Sequence, residues 1–170
     1  VVGVLFVVLR QLGAGSVGYA VVVMLVPAFI DVALVVLKPI EQRFARKYLV
    51  QAAETLERVN PIRVAITGSY GKTTIKGYVR HLLSETRSVV ASPASFNNSA
   101  GLSRAVNEHL NDGTEIFVAE MGAYGPGEIA ELVSWVKPSI SVLSAIGPVH
   151  LERFGDLDTV VASKSEIFST

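Results

Sequence analysis

The 170-residue sequence has no cysteine, which excludes disulfide staples and thiolate metal sites and suits a reducing, cytoplasmic compartment. It has no net charge either: fifteen Lys and Arg balance fifteen Asp and Glu. Neither sign forms a long run, so the balance speaks against a nucleic-acid partner and for a solvated surface of mixed sign. No internal repeat or low-complexity tract is present. Charge is scarce in one region above all, since only Arg10 and Asp31 carry a formal charge between Val1 and Leu37. Half of the chain is apolar and the mean hydropathy is +0.46, an excess concentrated before Lys38. The chain opens inside an apolar run rather than at a methionine and stops at Thr170 within a helical pattern. Those ends are expected of a fragment, and the length suits one α/β domain with an appendage.

The stretch Val17–Leu37, VGYAVVVMLVPAFIDVALVVL, with Asp31 its one charged residue, is long enough to cross a bilayer core. Val1–Leu9 reads as the remnant of another span, with Gly13, Gly15, Ser16 and Gly18 forming the connection. Pro27 is expected to kink the span, and Asp31 is costly in hydrocarbon unless it is paired or close to an interface. Lys38 to Asn60 is different in character, with Lys38, Arg43, Arg46, Lys47 and Arg58 against Glu41, Glu54 and Glu57. Phe44, Tyr48, Leu49, Ala52, Ala53 and Leu56 recur at helical spacing, which predicts a basic amphipathic linker helix ended by Asn60 and Pro61. Basic residues following a span place the next domain in the cytoplasm, at the inner membrane, where ATP is available.

From Pro61 onward strand and helix patterns alternate, as in a doubly wound parallel sheet. The organising stretch is Ile62–Thr74, IRVAITGSYGKTT. Ile62, Val64 and Ile66 fit a buried strand. Gly68, Ser69, Tyr70 and Gly71 then form a turn whose N–H groups can converge on an anion. Lys72 adds a cation, Thr73 a hydroxyl suited to a Mg²⁺ shared with phosphates, and Thr74 continues into a helix whose N-terminus favours negative charge. The pattern G-x-x-x-x-G-K-[ST] is nearly met, its first glycine falling at Ile66. Further elements are a helix from Lys72 to about Glu85 with Ile75, Val79, Leu82 and Leu83 on one face, and strands at Val89–Ala91, Glu115–Met121 and Ser139–Ala145. Helices follow from about Leu102 to Leu110, from Gly127 through Trp135, and from Leu157 to the end. Ligands of open α/β sheets collect beyond the carboxyl ends of the strands. Thr73, Glu120 and His150 each follow a strand there and can converge on metal ions bound to a nucleotide. Singly, Glu120 also fits an ordinary strand end and His150 a structural role.

TGSYGKTT, SFNNSAG, VAEMGAYGPGEI and SAIGPVHLERFGDLDTVVASKSEI, in this order, resemble the central ATPase domain of the Mur ligase family. The resemblance implies a P-loop-type parallel sheet flanked by helices over 61–170, preceded here by a transmembrane segment over 1–37 and a linker over 38–60. It implies ATP and Mg²⁺ as cofactors. The activity implied is an amide ligase of cell-wall precursor synthesis that activates a carboxylate as an acyl phosphate for attack by an amino-acid or dipeptide amine, D-alanyl-D-alanine in the branch most alike. By position Lys72 would face the β- and γ-phosphates, Thr73 and Glu120 would ligate the first Mg²⁺, and His150 the second. Lys164 stands where several members carry a carbamylated lysine, and Asn97 and Asn98 match amides lining the catalytic cleft. His81 and His109 match no motif and are expected on helix surfaces. The family's carboxyl-terminal domain and its uridine-binding amino-terminal domain have no counterpart in this sequence. A ligase acting on a folate-type or lipid-linked carboxylate, and a membrane-bound NTPase that couples ATP to conformation, are the alternative readings.

Overall fold

The computed structural model describes residues 16–169, in two compact units that meet in the chain between Phe44 and Ala45. The expected second span, Val1–Leu9, lies outside the described residues, as do Arg10, Gly13, Gly15 and Thr170. Helix α1 (Ser16–Val59) carries the chain through the first unit and is continuous past Pro27 and Pro39. A proline inside a helix removes one N–H, and the neighbouring i to i−4 hydrogen bonds still carry the helix through Pro27. The side chains of Met24, Phe29, Val35 and Leu37 are exposed. The most apolar 18-residue window of this helix has a mean hydropathy of 2.8, with none of it buried. By length and composition it can cross a membrane.

In the second unit the end of α1 becomes part of a core, with Ala52 and Leu56 fully buried. Asn60, at φ 49, closes the helix, and its N–H donates to Leu56 O. The chain turns directly into β1 (Ile62–Thr67), followed by α2 (Lys72–Leu83), β2 (Val89–Ala91), α3 (Ser99–His109), β3 (Ile116–Glu120), α4 (Glu128–Val136), β4 (Ile140–Leu143), α5 (Leu151–Phe154) and α6 (Leu157–Ser165). A 3₁₀ turn, Glu166–Phe168, follows. The expected final helix is therefore shorter than its pattern suggested, and α5 was not foreseen.

The four strands are parallel in the order β2-β3-β1-β4. β1 is central and buried on both faces apart from Ile62, which is half-exposed. One face carries Val64, Ile66, Ile116 and Val118 against Ile75, Val79 and Leu83 of α2. Leu82, predicted on that face, is 69% exposed instead, because only the stripe at i, i+4 and i+8 from Ile75 meets the sheet. The other face packs Phe117, Ala119 and Met121 with Leu102, Val106, Ile129, Leu132 and Leu56. Arg63, an inward residue of β1, is only 5% exposed. Its guanidinium donates to Val136 O, an orphan carbonyl at the end of α4, and to Leu56 O, which also accepts from Asn60 N.

Candidate active site

The parallel order places the carboxyl ends of β3, β1 and β4 side by side, and the loops that follow them are stitched together. Ser69 N donates to Ala145 O at 2.8 Å, and Ser69 Oγ to Gly147 O at 3.0 Å. Ser144 Oγ lies 2.9 Å from Thr67 O and 2.7 Å from Tyr70 O, so one hydroxyl braces two carbonyls of the glycine loop. Tyr70 pairs with Ala145 in an isolated antiparallel bridge, and its ring lies over Gly147, where a Cβ would come within 2.6 Å. The turn thus has its own shape and a fixed partner, the loop after β4.

Gly71 precedes α2 at φ 80, and no side chain caps the helix. The first-turn N–H groups of Lys72, Thr73 and Thr74 remain free to meet an anion. Lys72 Nζ folds back to donate to Gly68 O at 2.7 Å, which holds the cation over the loop.

Glu120 ends β3 with 1% of its surface exposed. Its Oε2 accepts from Thr73 Oγ1 at 2.9 Å, and its Oε1 from Asn97 Nδ2 at 3.3 Å. Lys76 Nζ also lies 2.9 Å from Oε2. Burial pushes the carboxyl up, but hydrogen bonds from Lys76 and Thr73 outweigh it and hold Glu120 below the usual carboxylate range. Two oxygen ligands in adjacent octahedral positions of Mg²⁺ lie about 2.9 Å apart for metal–oxygen distances of ~2.05 Å. The Thr73–Glu120 separation fits that spacing. Among the described residues no group of three or more His, Cys, Asp and Glu side chains can hold a metal. An ion here would rely on phosphate oxygens and water for its other ligands, as Mg²⁺ commonly does.

No motif in the sequence singles out Lys76. A signal for it existed, because positions 73 and 76 are three apart and share a helix face. The face that brings Thr73 to Glu120 brings Lys76 as well.

The remaining predicted residues divide. Lys72, Asn97, His150 and Lys164 border one small cleft with Gly68 and Tyr124. Asn97 is fastened there, as its carbonyl accepts Gly122 N at 2.7 Å and a Cβ on Gly122 would meet its carboxamide within 3 Å. Asn98 points elsewhere, its Oδ1 accepting Gly101 N at 2.8 Å as the N-cap of α3. His150 sits at φ 55, exposed, with its ring edge-on to Tyr124 at 4.9 Å. Lys164 is 2% exposed and donates to Ala123 O at 3.0 Å. Burial and then the nearby positive charge of Lys72 push its ammonium down to about 8. His81 and His109 are exposed on helices, as expected.

The sequence from Ile66 to Thr170 matches the Mur ligase middle domain. A UDP-N-acetylmuramoyl-tripeptide–D-alanyl-D-alanine ligase of Rickettsia prowazekii is 42% identical over 106 residues, covering 62% of this chain and 23% of the relative. A MurF structure from Acinetobacter baumannii superposes with a TM-score of 0.70 at 30% identity, over 74% of this chain and 28% of that one. The MurF ligase of Thermotoga maritima, solved in complex with ADP, gives 0.69 at 36% identity over 72% of this chain and 29% of that one. The chain thus spans about a quarter of the length of the relatives it matches. With a glycine loop, a strand-end carboxylate and a match over more than half of its residues, the chain belongs to the Mur ligase family.

Proposed function

We propose that this chain is the ATP-binding part of a membrane-anchored ligase of peptidoglycan precursor synthesis. It would join the tripeptide carboxylate of a UDP-N-acetylmuramoyl precursor to D-alanyl-D-alanine, the reaction in the names of its relatives. The observation that carries the reading is the 2.9 Å approach of Thr73 Oγ1 to Glu120 Oε2 directly after Lys72. A carboxylate oxygen of the substrate attacks the γ-phosphorus of ATP, and ADP leaves. The amine then attacks the resulting acyl carbon, forming the amide, losing a proton and expelling phosphate.

Gly68 to Thr74 hold the phosphates through backbone N–H groups, and Lys72 offsets charge on the β- and γ-phosphates. Thr73 and Glu120 would hold one Mg²⁺, and His150 with Lys164 a second; bound there, the ions neutralise charge on the transferring phosphoryl group. Asn97 steadies the Glu120 carboxylate, and Asn98 supports the loop that presents Asn97. The test is ADP release by the full-length protein. Release that no pairing of a muramoyl-peptide carboxylate with D-alanyl-D-alanine accelerates would leave only a nucleotide-driven switch.

Lys164 is buried against the cleft, where a free ammonium facing Mg²⁺ would be repelled by several kcal/mol at ~4 Å and an effective dielectric of about 20. The proposed state is a carbamate: the neutral amine attacks CO₂, an N–C bond forms and one proton is released. Lys164→Ala is expected to lose activity and to regain part of it with acetate, which can fill the gap. Full activity without added acid would refute the role.

Anchoring is proposed from the exposed apolar face of α1 before Lys38 and from the basic residues Lys38, Arg43, Arg46 and Lys47 after it. The catalytic part then faces the cytoplasm. Deleting Val1–Leu37 should move the protein from the membrane fraction to the soluble one. Cleavage beyond Pro61 by protease outside intact cells would contradict the orientation.

A further inference from the structure

We infer that Lys76 is a resident counter-cation that keeps the Glu120 carboxylate from loading a divalent ion before nucleotide arrives. The inference rests on the assignment of Thr73 and Glu120 as metal ligands. The two charged side chains are 7% and 2% exposed, and Nζ lies 2.9 Å from Oε2, the oxygen that also accepts from Thr73. The ammonium is fixed from a second direction by Ala94 O, at 2.5 Å, on a residue held at φ 41 in the loop after β2. Glu120 makes no other ion pair among the described residues.

A buried carboxylate already paired with an ammonium presents no net charge to an incoming cation. A free divalent ion therefore gains little at this oxygen, and it would meet a positive charge already in place. Nucleotide phosphates change the balance by bringing several negative oxygens to the other side of the same position. Metal and nucleotide then load together. When the site is empty, the ammonium spares the core an uncompensated buried charge, which is costly. A pair that served packing alone would also destabilise the protein when broken. It would not make metal binding independent of nucleotide.

The experiment measures Mn²⁺ binding to the full-length protein by the electron paramagnetic resonance of the free ion, with and without ADP, corrected for Mn²⁺ held by ADP in solution. In the parent, ADP should tighten Mn²⁺ binding at least tenfold. Lys76→Met should bind Mn²⁺ without ADP at least tenfold more tightly than the parent, about 1.4 kcal/mol, and Mn²⁺ alone should raise its melting temperature. The double variant Lys76→Met, Glu120→Gln should lose both effects. A parent that binds Mn²⁺ equally well with and without ADP overturns the inference, whether or not the variant folds. A folded Lys76→Met without the gain does so too. If Glu120→Gln leaves ADP-dependent Mn²⁺ binding unchanged, the ligand assignment fails and the inference with it. If Glu120→Gln weakens that binding while Lys76→Met gains nothing, only the inference fails.

Discussion

Lys72→Ala should reduce nucleotide turnover by roughly a hundredfold or more while leaving the fold intact. Charge-assisted hydrogen bonds to phosphate are each worth about 1.5–3 kcal/mol, and this lysine is the cation nearest the glycine loop's open N–H groups. In the present structure its ammonium touches only the carbonyls of Gly68 and Ser69. Removing it breaks no packing contact that the core depends on. The variant should therefore melt close to the parent and bind ADP weakly. A second effect follows from the neighbouring lysine, since the Lys72 charge helps to push Lys164 down. Without it, the uncarbamylated Lys164 amine should hold its proton to higher pH, which a pH titration of the labelled amine in CO₂-free buffer can follow. A purified Lys72→Ala protein with parental ADP affinity and turnover would remove the phosphate cradle from the argument.

Gly68→Ala should damage both stability and nucleotide binding. Gly68 sits at φ +144, and a Cβ there would lie 1.9 Å from Ser144 Oγ and 3.1 Å from Ala145 O. Ser144 cannot step aside freely, because its hydroxyl serves Thr67 O and Tyr70 O together. Backbone strain of order 1–3 kcal/mol adds to the clash. A loss of about 2–4 kcal/mol in total is expected, with a fall in melting temperature of at least several degrees. Combining it with Ser144→Gly should recover part of the melting temperature but not ADP binding, since the clash is relieved while the φ penalty and the lost braces remain. Parental melting and ADP affinity in Gly68→Ala would show that the loop is not held as described.

Alternating β-branched residues before a glycine turn and GKTT determined β1, the loop and α2, since period-two burial and the start of a helix are both local properties. The four parallel strands, and the place of Glu120 at the end of β3, were legible for the same reason. Lys164 was legible only through likeness to a family, because nothing in VVASKSEI marks a lysine for burial. Its 2% exposure depends on where α6 packs. Leu82 was misplaced because four apolar residues on one helix exceed the stripe that a sheet can cover. Tertiary structure alone decided that Lys76 meets Glu120 across 44 residues of chain, and that Asn97 faces the cleft while Asn98 caps a helix. It likewise decided that Ser144 holds the glycine loop from the next strand. In each case the partner is set by strand order and loop approach, and neither is encoded in the spacing of residues along a single element.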